Sequence, residues 1–327
     1  MGARAAALTR PARFTRFTGP RTTVEPLLTA PLDPTECTYA VNGMQLRVFE
    51  WPVTDPTGPT LFFAHATSFH ARCWDAVIER LPGRRIIALD FRGHGGSSKP
   101  EPPYDWHACG EDVAELSRQL NLRDAVAIGH SMGGHSVTLA AAMEPERFAG
   151  LLLVDPVIQP PDHYGDGAGS SAARRGAGAE TGGRRNAWAS ADEMYESYHG
   201  RGPFTTWDDR VLRDYCEHGV MPAPAGHGNS DGFVLACPPH IEASIYAGST
   251  GTNIYEEISS IDVPVRVIRA REPDGDDSPF STSPTAPDLA SRFRRGEDVH
   301  LPDATHFIPM ESPALIAQHV EEMAALL

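Results

Sequence analysis

The 327-residue sequence contains no Cys-x-x-Cys pair and no His-Glu-x-x-His motif, so it lacks two common signatures of a zinc site. Its five cysteines are odd in number and widely scattered: Cys37, Cys73, Cys109, Cys216 and Cys237. This distribution is typical of reduced cysteines and does not indicate a disulfide framework. We therefore predict a cytoplasmic protein that binds no metal.

Long apolar runs and phosphate-binding loops are absent as well. No segment approaches the roughly 18 consecutive apolar residues of a membrane span. The glycine-rich stretch "DFRGHGGS" (90–97) follows an apolar run, but no Gly-Lys-Ser/Thr follows it and it has no Gly-x-Gly-x-x-Gly pattern. The formal net charge of −15 argues against nucleic acid or an anionic membrane as a partner. We expect the partner to be a small molecule.

The N-terminal segment differs in charge from the rest of the chain. Residues 1–24 hold five arginines and no acidic residue. An Arg-rich, acid-poor segment is typical of a transit peptide, and a disordered extension has the same composition. We expect residues 1–35 to be a disordered extension, and organellar targeting remains the alternative.

Strand-like and helix-like patterns alternate through most of the chain. Residues 37–51 predict two strands around an Asn-Gly turn. Further apolar runs predict strands, and amphipathic segments between them predict helices, among them 73–81, 105–120 and 313–327. The predicted strands are "TLFFAHA" (60–66), "RIIALD" (85–90), "AVAIGH" (125–130), "GLLLVDP" (150–156), "VPVRVIRA" (263–270) and "EDVHLP" (297–302). This alternation is typical of an α/β protein with a parallel sheet covered on both faces.

An insertion interrupts this alternation at residues 160–260. We expect residues 165–185 to form a flexible Gly-rich loop, since they have little apolar surface to bury. The remainder of the insertion is helical in pattern and rich in aromatic residues, as expected for a cap. Residues 36–159 and 261–327 would then form the core domain.

The stretch "AVAIGHSMGGH" (125–135) contains the strongest chemical signal. Ser131 lies in a Gly-x-Ser-x-Gly pattern where a predicted strand turns into a predicted helix. A turn this sharp strains the serine backbone and requires very small residues two positions before and after it, which Gly129 and Gly133 provide. The pattern predicts that Ser131 is a nucleophile at the edge of the sheet.

A serine nucleophile requires a base and donors for the oxyanion. His306 follows the last predicted strand and therefore lies at the same sheet edge as Ser131. The backbone N–H of Met132 is one candidate oxyanion donor, and that of Thr67 is the second, with Ala66 and Ser68 as its alternatives. Three further histidines are candidates for the pocket or its supporting loops: His65, His70 and His130.

The chain resembles the α/β-hydrolase family in four stretches that occur in the family order. These are "HATSFHARCW", "DFRGHGGS", "GHSMGG" and "THFIPMESP", and the resemblance covers residues 37–327. It implies a mostly parallel sheet of about eight strands flanked by helices, with a helical cap. The aromatic insertion and "CPPHIEASIY" (237–246) resemble capped esterase- and lactonase-like members. Two positions depart from the family pattern. The chain has His65-Ala66 where the family usually has His-Gly, and Pro273 occupies the usual acid position.

Three carboxylates remain as candidates to orient His306. The family resemblance favours the loop after "VPVRVIRA", where Asp274 or Glu272 would serve. Asp155 instead stands at the end of the strand next to the nucleophile strand, where some members of the family carry their acid. We choose Asp155, followed by Asp274 and then Glu272.

These features predict a serine hydrolase that cleaves a carboxylic ester, lactone or thioester through an acyl-enzyme, without a cofactor. Carbon–carbon bond hydrolysis and perhydrolysis use the same three residues and remain alternatives. A non-catalytic binding protein of the same fold is a further alternative.

Overall fold

An eight-stranded sheet forms the centre of the molecule. The computed structural model describes residues 33–164, 181–225, 231–249, 252–275 and 280–327. The strands in chain order are β1 (Thr35–Val41), β2 (Met44–Trp51), β3 (Leu61–Ala64), β4 (Ile86–Leu89), β5 (Ala125–His130), β6 (Phe148–Val154), β7 (Val220–Pro222), β8 (Phe233–Leu235), β9 (Val265–Arg269) and β10 (Gly296–His300). The sheet order is β1-β2-β4-β3-β5-β6-β9-β10, while β7 and β8 pair separately.

Most neighbouring strands of the large sheet run parallel. Strand β2 pairs antiparallel with both β1 and β4, and the other five pairings are parallel. The turn between β1 and β2 places Asn42 at φ 46° and Gly43 at φ 78°, the left-handed region that an Asn-Gly hairpin turn uses. The predicted sheet of about eight mostly parallel strands is therefore confirmed.

Helices cover both faces of the sheet. In chain order they are α1 (Asp75–Ile78), α2 (Trp106–Gln119), α3 (Met132–Met143), α4 (Ala191–Tyr198), α5 (Asp209–His218), α6 (Pro239–Gly248), α7 (Tyr255–Ser260), α8 (Ile308–Glu311) and α9 (Pro313–Ala324). Buried side chains of α2 and α3 join one core cluster, and those of α1 and α9 join the cluster on the opposite face. Strands covered on both faces explain the continuous apolar runs of β3 to β6.

One predicted helix is shorter than expected. The sequence predicts a helix over 73–81, but the structure has a 3-10 turn at Ala71–Trp74 followed by only four α-helical residues in α1. Pro82 disfavours helical backbone at Leu81, and Gly83 adopts φ 74°, so the chain turns toward β4.

The described part of the 160–260 insertion contains α4 to α7 and the β7–β8 pair, all between β6 and β9. Residues 165–180 of the predicted flexible loop and residues 1–32 of the predicted extension lie outside the described residues. At the end of the predicted loop, Arg184 pairs with Glu242, and the guanidinium of Arg185 lies 3.9 Å from the ring centroid of Trp188. In the ranges described above, none of the helices is both long and apolar enough to cross a membrane.

Candidate active site

Ser131 occupies a strained turn between β5 and α3. Its backbone has φ 56° and ψ −117°, a conformation that L-residues rarely adopt. A Cβ at Gly129 would lie 2.5 Å from the Gly133 carbonyl oxygen, and a Cβ at Gly133 would lie 2.2 Å from that of Ala64. The two glycines are therefore required by close backbone contacts, as the sequence pattern predicts, and the turn presents Ser131 at the carboxyl edge of the sheet.

The structure brings Ser131, His306 and Asp155 together in a hydrogen-bonded chain. Ser131 Oγ lies 3.0 Å from His306 Nε2, and His306 Nδ1 lies 2.6 Å from Asp155 Oδ2. Asp155 directly follows β6, while His306 lies in the loop between β10 and α8. All three residues are buried. The arrangement allows His306 to accept the Ser131 proton at Nε2 while its Nδ1–H donates to Asp155.

The carboxylate of Asp155 is completely buried and receives several hydrogen bonds. Its Oδ1 accepts from the Ala270 N–H at 3.0 Å and from the Ser283 hydroxyl at 2.5 Å, while the Thr285 hydroxyl lies 3.3 Å away and donates to the Pro156 carbonyl at 2.7 Å. These donors offset the cost of burying a charged group. They also leave Oδ2 directed at His306.

The two alternative acids lie elsewhere. Glu272 pairs with Arg269 at 3.1 Å, and Asp274 pairs with Arg271 at 3.4 Å. Both side chains are more than half exposed. Among the three candidates for orienting His306, the structure therefore places only Asp155 in contact with it.

The side chains of the two candidate oxyanion donors contact each other. Met132 begins α3, and the Thr67 hydroxyl lies 3.4 Å from the Met132 sulfur. Within the described ranges, neither backbone N–H makes a hydrogen bond to another group. Two such N–H groups beside a serine nucleophile are suited to receive a developing oxyanion.

Two buried histidines support the loop that carries Thr67. His65 Nε2 accepts from the Phe91 N–H at 3.0 Å, and its Nδ1 donates to the Ala66 carbonyl at 2.7 Å. His94 Nε2 accepts from the Ser68 N–H at 3.0 Å. Burial lowers the pKa of His65 to about 3 and that of His94 well below its usual value, so both rings stay neutral and keep an acceptor nitrogen. The role of His94 was not predicted from the sequence.

The other two candidate histidines do not line the main cavity described below. His130 Nε2 lies 2.8 Å from the His306 carbonyl oxygen, so this side chain supports the loop that carries His306. His70 points the other way, with Nε2 3.2 Å from the Tyr215 carbonyl and its ring lining a smaller polar cavity. His70 therefore does not face the main cavity, although the sequence makes it a candidate for the pocket.

A cavity of about 450 Å³ lies above the strand ends. Its walls are mainly aromatic and include Phe69, Tyr198, Trp207, Tyr215, Phe280 and Phe307. The rings of Phe280 and Phe307 lie 6.1 Å and 6.0 Å from that of His306, so two residues of the cavity wall pack beside the histidine. A charged pair, Arg184 with Glu242, is part of the same wall.

One group of possible metal ligands occurs in the described part of the chain. Ligand atoms of Asp75, Asp214 and His218 lie within 4.8 Å of one another. Arg72 and Arg210 donate to the two aspartates, at 2.7 Å and 2.8 Å, and already neutralise their charge. This group belongs to the interface of α1 with α5 and contains none of the residues around Ser131.

Sequence reasoning missed the residues that surround Asp155 and the polar residues of the cavity wall. Ser283 and Thr285 lie in "STSPT" (281–285), which has no apolar periodicity to place it. Arg184 and Glu242 are 58 positions apart, and only the fold brings them together. The polar sequence after β9 is the only feature of the sequence that indicates the groups around Asp155.

Curated relatives align with only part of the chain. A non-heme chloroperoxidase of Streptomyces lividans is 37% identical over 132 residues, which cover 38% of this chain and 47% of the relative. A 2-(acetamidomethylene)succinate hydrolase of Mesorhizobium japonicum is 34% identical over 100 residues, covering 30% and 36%. A bifunctional esterase/perhydrolase of Acinetobacter calcoaceticus is 32% identical over 106 residues, covering 32% and 38%. The aligned part of this chain thus spans less than half the length of each relative.

Comparisons with solved structures and with a family model cover most of the chain. The crystal structure of an E-2-(acetamidomethylene)succinate hydrolase superposes with a TM-score of 0.71 and 20% identity, covering 89% of this chain and 98% of that one. An enol-lactonase from Burkholderia xenovorans superposes with a TM-score of 0.59 and 20% identity, covering 88% and 100%. The family model described as "Alpha/beta hydrolase family" matches residues 61–319, which include β3 and the histidine loop. With this match over most of its length, the chain belongs to the α/β-hydrolase family.

Proposed function

We propose that this protein is a serine hydrolase that cleaves a carboxylic ester, a lactone or a thioester through an acyl-enzyme intermediate. The observation that carries the proposal is the chain of hydrogen bonds from Ser131 Oγ through His306 to Asp155. A serine hydroxyl is a weak nucleophile at neutral pH, and a histidine within hydrogen-bonding distance supplies the required base.

The first half of the reaction forms the acyl-enzyme. His306 Nε2 takes the proton of Ser131 while the serine oxygen attacks the carbonyl carbon. The negative charge that develops on the carbonyl oxygen is stabilised by the N–H groups of Thr67 and Met132. When the intermediate collapses, His306 gives the proton to the departing alkoxide or thiolate.

The second half uses water in place of the serine. His306 Nε2 takes a proton from water, and the resulting oxygen nucleophile attacks the acyl carbon. The carboxylic acid leaves, and the proton returns to Ser131 Oγ. Throughout both halves, Asp155 holds Nδ1–H and stabilises the positive charge on the imidazolium.

Hydrolysis of p-nitrophenyl acetate and butanoate tests this proposal. We expect wild-type protein to release p-nitrophenolate, and Ser131→Ala to lose at least about 10³-fold in kcat while remaining folded. Ser117→Ala is a matched control, because that hydroxyl donates to the Ala114 carbonyl within α2 and lies outside the site. Comparable turnover by Ser131→Ala and wild-type protein would contradict the assignment of the nucleophile.

Perhydrolysis is a second candidate, favoured by the name of one curated relative, the esterase/perhydrolase. In that reaction hydrogen peroxide would replace water in attacking the acyl-enzyme, giving a peracid. Peracid formation from p-nitrophenyl acetate and hydrogen peroxide distinguishes the two. Release of acetate alone at high peroxide concentration would exclude this candidate.

A further inference from the structure

The wall of the aromatic cavity contains a partly buried charged network. Arg184 Nη1 donates to both carboxylate oxygens of Glu242, at 3.1 Å and 3.0 Å. Glu242 also accepts a hydrogen bond from the hydroxyl of Ser68, and only 3% of this residue is exposed. The positive and negative charges therefore compensate each other at one edge of the guanidinium.

The other edge of the guanidinium contacts two tyrosines. Arg184 Nη2 donates to the hydroxyl oxygen of Tyr198 at 3.0 Å and to that of Tyr215 at 3.3 Å. Since both oxygens lie beside one nitrogen atom, the two hydroxyl groups are close neighbours. Both tyrosines line the cavity.

Each tyrosine hydroxyl has one hydrogen to donate, and its oxygen is already used as an acceptor. Over the described ranges, neither hydroxyl donates to another protein group. A hydroxyl that accepts from a cation is polarised and becomes a stronger donor. The cavity wall thus presents two adjacent O–H donors backed by a guanidinium.

We propose that Tyr198, Tyr215 and Arg184 form a subsite that binds a carboxylate carried by the substrate at a distance from the bond that is cleaved. This inference rests on the proposed function and adds the substrate class: an ester or lactone that bears a free carboxylate. The two oxygens of one carboxylate match two adjacent donors. An ammonium substituent only donates, and the Glu242 oxygens already accept from Arg184 and Ser68.

The aromatic side chain between the proposed subsite and the strand end that carries Ser131 sets a minimum length for the substrate. The ring of Phe69 lies 5.4 Å from that of Tyr215 and 6.2 Å from that of His130, the residue before Ser131. One aromatic side chain thus separates the subsite from the strand end that carries the serine. The carboxylate and the reacting carbonyl are therefore separated by several carbon atoms, and an alkyl group that reached the subsite would leave both O–H donors unpaired.

The test compares two series of p-nitrophenyl esters of matched chain length. One series carries a terminal carboxylate, from succinate to suberate, and the other a terminal methyl group, from butanoate to octanoate. We expect wild-type protein to prefer the carboxylate ester at the best chain length. The double variant Tyr198→Phe/Tyr215→Phe should lower the carboxylate-to-methyl ratio of kcat/KM about 100-fold, about tenfold for each hydroxyl, mainly through KM.

The control is Tyr39→Phe on β1, a tyrosine outside the cavity that should leave the ratio unchanged. Equal ratios for wild-type protein and the double variant, with methyl esters hydrolysed, would overturn the subsite and leave the proposed function standing. If neither series is hydrolysed, the proposed function fails. Ligand-observed NMR with monomethyl glutarate then decides on the subsite: binding lost in the double variant supports it, and equal binding contradicts it.

Discussion

At the scale of single residues, the surroundings of Asp155 distinguish it from the other acidic side chains near the strand ends. It is fully buried, and it accepts hydrogen bonds from Ala270 and Ser283 in addition to His306. Hydrogen bonds from these donors give the carboxylate a fixed orientation. Such a group can hold one tautomer of His306 throughout a reaction.

Replacing this carboxylate by an amide tests its role. Asp155→Asn places an NH2 group among donors, and it removes the charge that stabilises the imidazolium. We expect kcat for p-nitrophenyl butanoate to fall by roughly 10⁴-fold, by analogy with other triads, with a smaller change in KM. Steady-state kinetics of the purified variant provides the measurement.

Asp274→Asn is the matched control, since the structure places that side chain in the exposed loop beside Arg271. Its kcat should equal the wild-type value. Collapse of activity in Asp274→Asn together with full activity in Asp155→Asn would reverse the assignment.

At the scale of helices and strands, each of the three candidate residues follows a predicted strand. Ser131 follows β5, Asp155 follows β6, and His306 lies shortly after β10. Parallel strands have their carboxyl ends at the same sheet edge, so residues after such strands converge. The choice of Asp155 also depends on the strand order. Strand β6, which precedes Asp155, lies between β5, which precedes Ser131, and β9, which precedes the two alternative acids.

Other elements depended on contacts that no local pattern encodes. Helical periodicity indicates which face of a segment is buried and does not identify what covers it. Met194 packs in the interior of the insertion, whereas Trp188, Tyr198 and Phe204 line the cavity, although all four lie in one aromatic-rich stretch. The network of Arg184 with Glu242 likewise depends on how that stretch folds over the strand ends.

At the scale of the whole molecule, buried histidines are the main source of pH sensitivity. Burial lowers the pKa of seven histidines: His65, His70, His94, His130, His135, His218 and His319. Two aspartates act in the opposite direction, because burial raises the pKa of Asp75 to about 7 and that of Asp214 to about 6. The histidines outnumber these aspartates, so their effect decides the sign.

We therefore expect the free energy of unfolding to decrease as the pH falls from 6.5 to 4.5. In this range the unfolded chain binds protons on histidines with a pKa near 6.5, while the folded chain keeps them neutral. The stability they provide is fully present above pH 6.5 and is lost below it, and the aspartates offset part of the loss. The net decrease should be on the order of a few kcal/mol per pH unit.

Urea denaturation at several pH values gives this free energy directly. The urea midpoint should fall steadily from pH 6.5 to pH 4.5. A midpoint that is constant or rises over this range would contradict the expectation that the effect of the histidines decides the sign.

The most direct test of the central claim, that Ser131 is a nucleophile activated by His306, is covalent labelling with a fluorophosphonate followed by peptide mass mapping. The account predicts one phosphonyl group, located on Ser131, and no label on folded Ser131→Ala protein. Folded wild-type protein that stays unlabelled, or that carries the label on another residue, would contradict the account.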